Sequence, residues 1–461
     1  MSTDKVYNSI EEVLDIAESA EGKTVGEFDI NNRLDSRGNK GGIGQVLEEG
    51  LFKMAVNSRA EADFVDLGLE LKVTAIKENK KNDFSAKERL VLNIINYEED
   101  YKDSFEESSF WQKNKNLLII FYLYKDELDK KDFPIIKSVL HNFDPVDLEI
   151  IKQDWQTIID KIKAGEAHNI SEGDTMYLAA CTKGANAKSI RKQPFSNIPA
   201  KQRAFSLKSS YMSAFARRVI DRQLIPSLFN VDELKSKTTL QLLQERFAPY
   251  IGKRVSEIAK LVDIPVTKNK AFNANLISAV LGVKGTKLES LREFSKANIK
   301  FKTIRLEPTG IPKEHMSFEQ IDFHRWVNDA WEDSQLYEKF EYTKYLFVVF
   351  QYDETEKENK NREPYLKGIM LWNMPEVVIE HELKELWKTT KAILEEGVQL
   401  TPVRNGVSNN LPGASFNGIC HIRPKARDSK DQVELPDGQR ITKQCYWLNR
   451  EYIAEIVKEL S

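Results

Sequence analysis

The sequence predicts an α/β (α+β) protein made of two similar domains in tandem, each a mixed sheet flanked by helices. Three observations lead there. Segments of the first half recur in the second at a nearly constant offset. Strand-like and helix-like apolar patterns are interleaved within each half. No stretch of about 18 uncharged apolar residues occurs, so a membrane span is not expected.

The recurrence is ordered. Gly22-Lys23-Thr24-Val25-Gly26-Glu27 resembles Gly252-Lys253-Arg254-Val255-Ser256-Glu257, at 230. Lys40 to Leu47 resembles Lys270 to Ile277 at the same offset. Leu117 to Phe121 resembles Leu346 to Phe350 at 229, Trp155 and Gly165 match Trp387 and Gly397 at 232, and Phe205, Leu207 and Tyr211 match Tyr446, Leu448 and Tyr452 at 241. The offset drifts as loop insertions would make it drift. The period is too long for a solenoid and means two domains of about 220 residues. Residues 1–222 form the first, 223–236 a linker and 237–461 the second.

Within the first copy, Ile10 to Ala20 and Ile43 to Met54 have helical spacing. Leu67 to Ala75 alternates, with Glu70, Lys72 and Thr74 on one face, as in a half-buried strand. Leu117 to Leu123 is continuously apolar and reads as a buried central strand. Leu148 to Lys163 and Val377 to Leu394 read as long helices. Asp353 to Glu363 is a charged, solvated loop.

Bulk properties bound the function. Over 461 residues, 41% hydrophobic and 30% charged content indicates a soluble globular chain. Met1 to Asp15 lacks a signal-peptide pattern. The three cysteines form no CxxC pair, which suggests a reducing cytoplasm and no zinc site. The six histidines are scattered. The net charge of −3 does not by itself favour nucleic acid, but binding depends on where charge sits.

The chemistry concentrates between Asp63 and Lys72. Glu70 and Lys72 are two apart on a strand and share a face. Asp63 lies just upstream, able to fold back beside Glu70. Two carboxylates can hold Mg²⁺, and the Lys72 ammonium can orient or deprotonate a water and offset charge on a phosphate. Glu48 would bring a third carboxylate from a neighbouring helix. Gly41, Gly42 and Gly44 permit close approach of backbone to a phosphate, or serve packing; both readings stand.

The second copy is an internal control. At offset 230, Glu48 becomes Ser278, Asp63 becomes Glu293, Glu70 becomes Lys300, and Lys72 stays as Lys302. With a cation where a metal ligand belongs, this copy is expected to bind rather than cut. Charge supports a DNA partner. From Thr175 to Ile220 there are nine Lys or Arg residues and no acid. Val398 to Arg427 is also free of acids and carries Arg404, Arg423, Lys425 and Arg427.

At these residues the chain resembles the MutH/Sau-type family, that is, the mismatch-repair endonuclease MutH and related GATC-specific restriction endonucleases. The resemblance rests on Lys40 to Glu48, Asp63 to Lys72, Gln112 to Lys115, Asp154-Trp155 to Gly165, Lys183 to Lys188, and Ile422 to Ala426. It implies a restriction-endonuclease-like fold with a cleft for double-stranded DNA and Mg²⁺ as cofactor. Glu48, Asp63 and Glu70 would be metal-site carboxylates, Lys72 the catalytic lysine and Lys113 a further active-site lysine. Lys40, Lys183, Lys188, Arg191, Arg203, Arg423 and Lys425 are the expected DNA contacts. The reading-loop pair Arg423-Pro424 is replaced in the first copy by Cys181-Thr182, so base contacts there fall to Lys183, Lys188, Arg191 or Arg203. One cutting copy per chain implies a homodimer on DNA, looping between two sites, or sequential nicks. A cognate methyltransferase encoded nearby is expected. The alternatives are a strand-nicking repair enzyme and a non-cutting DNA-binding regulator.

Overall fold

A computed structural model describes residues 5–35, 42–56, 61–79, 83–184, 189–269, 271–403 and 406–460. The chain divides into two compact units. One comprises residues 1–238 with 290–298, the other 239–289 with 299–461. Among the described residues no helix is long and apolar enough to cross a membrane.

The first unit runs α1 (Ile10–Glu18), α2 (Gly42–Gly50), β1 (Glu70–Glu78), β2 (Phe84–Ala86), β3 (Leu90–Ile94), α3 (Ser109–Asn114), β4 (Asn116–Leu123), β5 (Ile135–Asn142), α4 (Pro145–Lys163), β6 (Leu178–Thr182), β7 (Ile190–Gln193), β8 (Ser196–Lys201), β9 (Arg203–Leu207), α5 (Ser209–Ile220) and α6 (Val231–Ser236). Its main sheet has the order β2-β1-β4-β5, with β1 and β4 parallel and the other pairs antiparallel. A second sheet is ordered β3-β9-β6, and β7 and β8 form a hairpin.

Local chemistry explains these elements. Asp144 caps α4 by accepting from the Val146 N–H, Pro145 occupies the first turn, and Ile150, Ile151, Trp155, Ile158, Ile159 and Ile162 make one buried stripe. On one side of the main sheet, Val13 and Ala17 of α1 and Val46 and Leu47 of α2 pack with Leu71, Leu118 and Ile120. On the other, Phe121 meets Phe215 of α5. Cover on both faces makes β1 a mostly buried strand rather than an alternating one. Its start also differs from expectation: Leu67 lies in a 3-10 turn, Val65–Leu67, and the strand begins at Glu70.

The second unit contains α7 (Thr239–Phe247), α8 (Val255–Leu261) and α9 (Phe272–Val280); α10 (Arg292–Lys296) belongs to the first unit. Then come β10 (Ile299–Leu306), β11 (Met316–Gln320), α11 (Phe323–Asn328), α12 (Gln335–Glu341), β12 (Lys344–Gln351) and β13 (Tyr365–Trp372). A helix follows as α13 (Glu376–Val378), a π turn over Ile379–Leu383 and α14 (Lys384–Glu396). The unit ends with β14 (Leu400–Val403), β15 (Gly406–Asn409), β16 (Cys420–Pro424), β17 (Gln432–Glu434), β18 (Arg440–Thr442), β19 (Gln444–Leu448) and α15 (Arg450–Ile456). The loop Asp353 to Glu363 is more than solvated charge. Asp353 pairs with Arg254 and Glu356 with Lys313, while the Ser256 N–H donates to Glu363 and Arg362 pairs with Glu307.

The two units repeat one topology. β10-β12-β13 reproduces β1-β4-β5, first pair parallel and second antiparallel. β11-β19-β16 reproduces β3-β9-β6. The strand registers align the copies more finely than sequence does. The strand beside the central one carries an extra residue in both copies: Ile136 of β5 opposite the Phe121–Tyr122 step, and Lys367 of β13 opposite the Val349–Phe350 step. The counterpart of Leu117 is therefore Tyr345, at 228, and not Leu346. The run is too uniformly apolar for sequence alone to set its register. Ile119 lies opposite Lys72 and Phe347 opposite Lys302, so Lys72 and Lys302 correspond, as do Glu70 and Lys300.

Candidate active site

The first-copy site is built on the turn that leads into β1. Phe64 and Leu69 form an isolated bridge, with Phe64 N–H to Leu69 O at 3.0 Å. Gly68 closes the turn at φ +58°, a left-handed conformation suited to glycine. The chain thereby doubles back and sets Asp63 beside the start of the strand. Its N–H donates to Glu70 Oε2 at 3.2 Å, and its Oδ2 accepts from the Leu71 N–H at 2.9 Å.

Glu70 is only 2% exposed. A buried carboxylate needs cations or donors around it. Lys72 Nζ lies 2.6 Å from its Oε1 and Lys113 Nζ, at the end of α3, 3.6 Å. Burial pushes the Glu70 carboxyl above the usual range, and the Lys72 charge opposes that shift.

Glu48 comes from α2. The helix is held by a bidentate pair in which Arg33 Nε and Nη2 each lie 2.6 Å from the Glu49 carboxylate. Gly50 lets α2 end against the chain at Phe28, where an added Cβ would strike a carbonyl oxygen. Glu48 is half-buried, and its carboxyl is pushed up to about 7, first by burial and then by the charge of Asp63. Lys72 opposes the rise, while Glu70 adds to it. The three acids thus lie close enough to repel one another.

Among the described residues no three acidic, histidine or cysteine side chains form a ready metal cage. Lysine ammonium groups occupy Glu70 instead. The donor set still fits a hard divalent cation. It consists of carboxylate oxygens, and mutual repulsion raises the cost of ionising Glu48 until positive charge arrives.

The other expected residues fall into three groups. Lys183 and Arg191 are exposed in the first unit, as are Arg423 and Lys425 in the second. Lys425 Nζ donates to Ser317 Oγ at 2.6 Å, and the Arg423 guanidinium lies 5.7 Å from the Trp447 ring centre. Lys40 and Lys188 lie outside the described residues. Arg203 is a correction: it is 2% exposed and its Nη1 donates to Ala180 O at 2.8 Å. It braces β6 from inside the core, out of reach of DNA. Strand register also sets Cys181-Thr182 and Arg423-Pro424 at matching places in the two copies. Cys181 and Thr182 oppose Ala204 and Arg203, as Arg423 and Pro424 oppose Cys445 and Gln444.

Sequence reasoning missed Asp154 as a structural anchor. Its carboxylate is buried in α4 and accepts from the N–H groups of Met176, Tyr177 and Leu178, locking α4 to the start of β6. Its place beside Trp155 in the recurring segment was the available signal. Arg33 carried none.

In the second copy, Ser278 Oγ is turned to the Asn275 carbonyl. Lys302 donates to Ser317 O at 3.1 Å and lies over the Phe318 ring; burial pushes its ammonium down to about 8. Glu293, the counterpart of Asp63, accepts from Ser227 Oγ and the Leu228 N–H.

Comparison with known proteins bears on both copies. The family described as "DNA mismatch repair enzyme MutH" matches residues 52–154 and again 285–385. The type II restriction enzyme Sau3AI of Staphylococcus aureus is 36% identical over 485 aligned positions, covering 96% of this chain and 97% of that protein. The chain belongs to the MutH/Sau-type endonuclease family. MutH proteins of Shewanella woodyi and Serratia proteamaculans are 26% and 25% identical and cover 41% and 45% of this chain, against 82% and 92% of their own lengths. A family MutH protein is thus about one copy long, whereas the Sau3AI match runs through both copies of this family member.

Proposed function

We propose that the chain is a type II restriction endonuclease that hydrolyses double-stranded DNA at GATC with Mg²⁺, cutting with its first copy and binding DNA without cutting through its second. The observation that carries this reading is the buried Glu70 carboxylate, set between the Asp63 turn and the ammonium groups of Lys72 and Lys113. The Sau3AI match through both copies favours restriction over single-copy repair nicking.

Glu48, Asp63 and Glu70 would hold the cation. When bound, Mg²⁺ supplies Lewis-acid polarisation of the scissile phosphate. Lys72 orients the attacking water and offsets charge developing on the phosphate oxygens. Lys113 keeps a second positive charge at Glu70, so that the acid stays ionised despite its burial. Lys183 and Arg191 provide exposed cations for the duplex, and Arg423 and Lys425 do so in the second copy.

One cutting copy makes one cut per event. Double-strand cleavage follows from a homodimer on DNA, from a loop between two sites, or from successive nicks. A methyltransferase gene alongside would protect the host's own sites.

The test is cleavage of a GATC duplex and a scrambled duplex with and without Mg²⁺, by the wild type and by Asp63→Ala. Mg²⁺-dependent cutting of the GATC duplex alone, lost in the variant, is expected. Undiminished cleavage by Asp63→Ala shows that the site is wrongly assigned; persistent nicking without double-strand breaks favours the repair reading.

A further inference from the structure

The segment Ser290–Asn298 lies in the sequence of the second copy but packs within the first unit. Its attachments are polar and buried. Lys296 forms an ion pair with Asp147 in which the side chains are 5% and 1% exposed. Tyr211 OH donates to the same carboxylate oxygen at 3.1 Å, and Lys296 Nζ stands 4.8 Å from the Tyr211 ring centre. Arg292 Nη1 lies 2.7 Å from Oδ1 of Asp144, the cap of α4. Glu293 ties down the chain at Ser227 and Leu228.

These contacts converge on the part of the sheet that carries the candidate site. Glu70 lies opposite Leu117, and Leu117 opposite His141, in one row across β1, β4 and β5. His141 is buried with its ring against Tyr211 and Phe143. Phe143, next to Asp144, packs at a tilt against Trp111 of α3, the short helix whose last turn carries Lys113. A buried ion pair contributes little net stability, but it specifies one arrangement, because removing a partner strands the other charge. The segment ends at Asn298, and β10, with Lys300 and Lys302, begins at Ile299.

We propose that Arg292, Glu293 and Lys296 are positioning residues for the first-copy site: the second copy lends this strap to the first unit, where it sets the α3 end and the Glu70 row in their working arrangement. The position that presents a carboxylate to the site in the first copy, Asp63, has become in the second copy, as Glu293, part of the strap. The inference rests on the site assigned above.

The experiment uses the full chain and a short duplex with one GATC. Lys296→Met is expected to lower kcat at least tenfold and leave KM within twofold. In a Lys113→Ala background the same substitution is expected to cost less than twofold more, because the strap acts through the group already removed. Wild-type kcat in a cooperatively melting Lys296→Met, or equal losses in both backgrounds, overturns the proposal. If Lys296→Met does not melt cooperatively, Arg292→Leu takes its place with the same two comparisons and the same criteria. Full-rate cleavage by Lys113→Ala alone overturns the site assignment beneath the proposal, and the proposal with it; that outcome is distinct from additive losses.

Discussion

Lys72 Nζ lies 2.6 Å from Glu70 Oε1, two residues along the same strand. On the proposed function the pair holds an ammonium where charge would develop on a phosphate, so its value should appear in the transition state and not in DNA binding. Lys72→Met is expected to lower single-turnover cleavage about 10²–10³-fold. Duplex affinity, measured by gel shift without metal, should change less than about threefold, since one phosphate contact among many is lost. A loss of affinity equal to the loss of rate would assign Lys72 to DNA binding instead.

The second copy should resist repair. Ser278→Glu with Lys300→Glu restores two carboxylates at the positions of Glu48 and Glu70. The third, Glu293, is committed to Ser227 Oγ at 2.5 Å and the Leu228 N–H at 3.0 Å. In an Asp63→Ala chain, the two restored acids should therefore give no cleavage of a GATC plasmid. Nicking by that triple variant would show that Glu293 leaves its partners readily.

Much of the candidate site's geometry could be read before the fold was known, and the reasons are local. Glu70 and Lys72 share a strand face by period alone, and Asp63 lies close enough upstream to fold back beside Glu70. Glu48 follows from its place on the helix predicted over Ile43 to Met54, a short way before Asp63. What escaped was set by tertiary partners. Nothing in the run Lys201 to Leu207 distinguishes Arg203, which meets a buried carbonyl, from exposed Lys201. The strap is a stronger case. Glu293 aligns with a catalytic-type acid, yet its destination depends on Ser227 and Leu228, some 65 residues away in sequence.

Arg203 and Arg191 should separate stability from binding. Arg191 is exposed on β7 and Arg203 is buried. Arg191→Ala is expected to leave the melting temperature unchanged and to reduce the slope of log affinity against log salt by about 0.9 if it contacts one phosphate. Arg203→Ala should destabilise the fold by roughly 2–4 kcal/mol, as large buried side chains do when truncated, with the salt slope of the folded fraction preserved. Denaturant melts and salt titrations of binding check both. A reduced slope for Arg203→Ala in folded protein would contradict its placement in the core.

His141 should make the protein sensitive to acid. Its ring is 1% exposed and its pKa is pushed down to about 3 by burial, with Arg218 and Lys296 adding repulsion. The folded value is depressed below the ordinary value of 6.5, so the neutral ring contributes stability that is fully present above pH 6.5. It is lost progressively as the unfolded chain takes up the proton that the folded chain refuses, from pH 6.5 down to about 3. At pH 5 the difference corresponds to about 2 kcal/mol. His141→Phe removes the proton acceptor while keeping an aromatic ring against Tyr211 and Phe215. The variant should lose less stability than the wild type between pH 7 and pH 5, in denaturant melts at each pH. Parallel losses would mean that His141 already takes up its proton in the folded chain, and that the packing around Tyr211 and Asp147 admits a charge it is built to exclude.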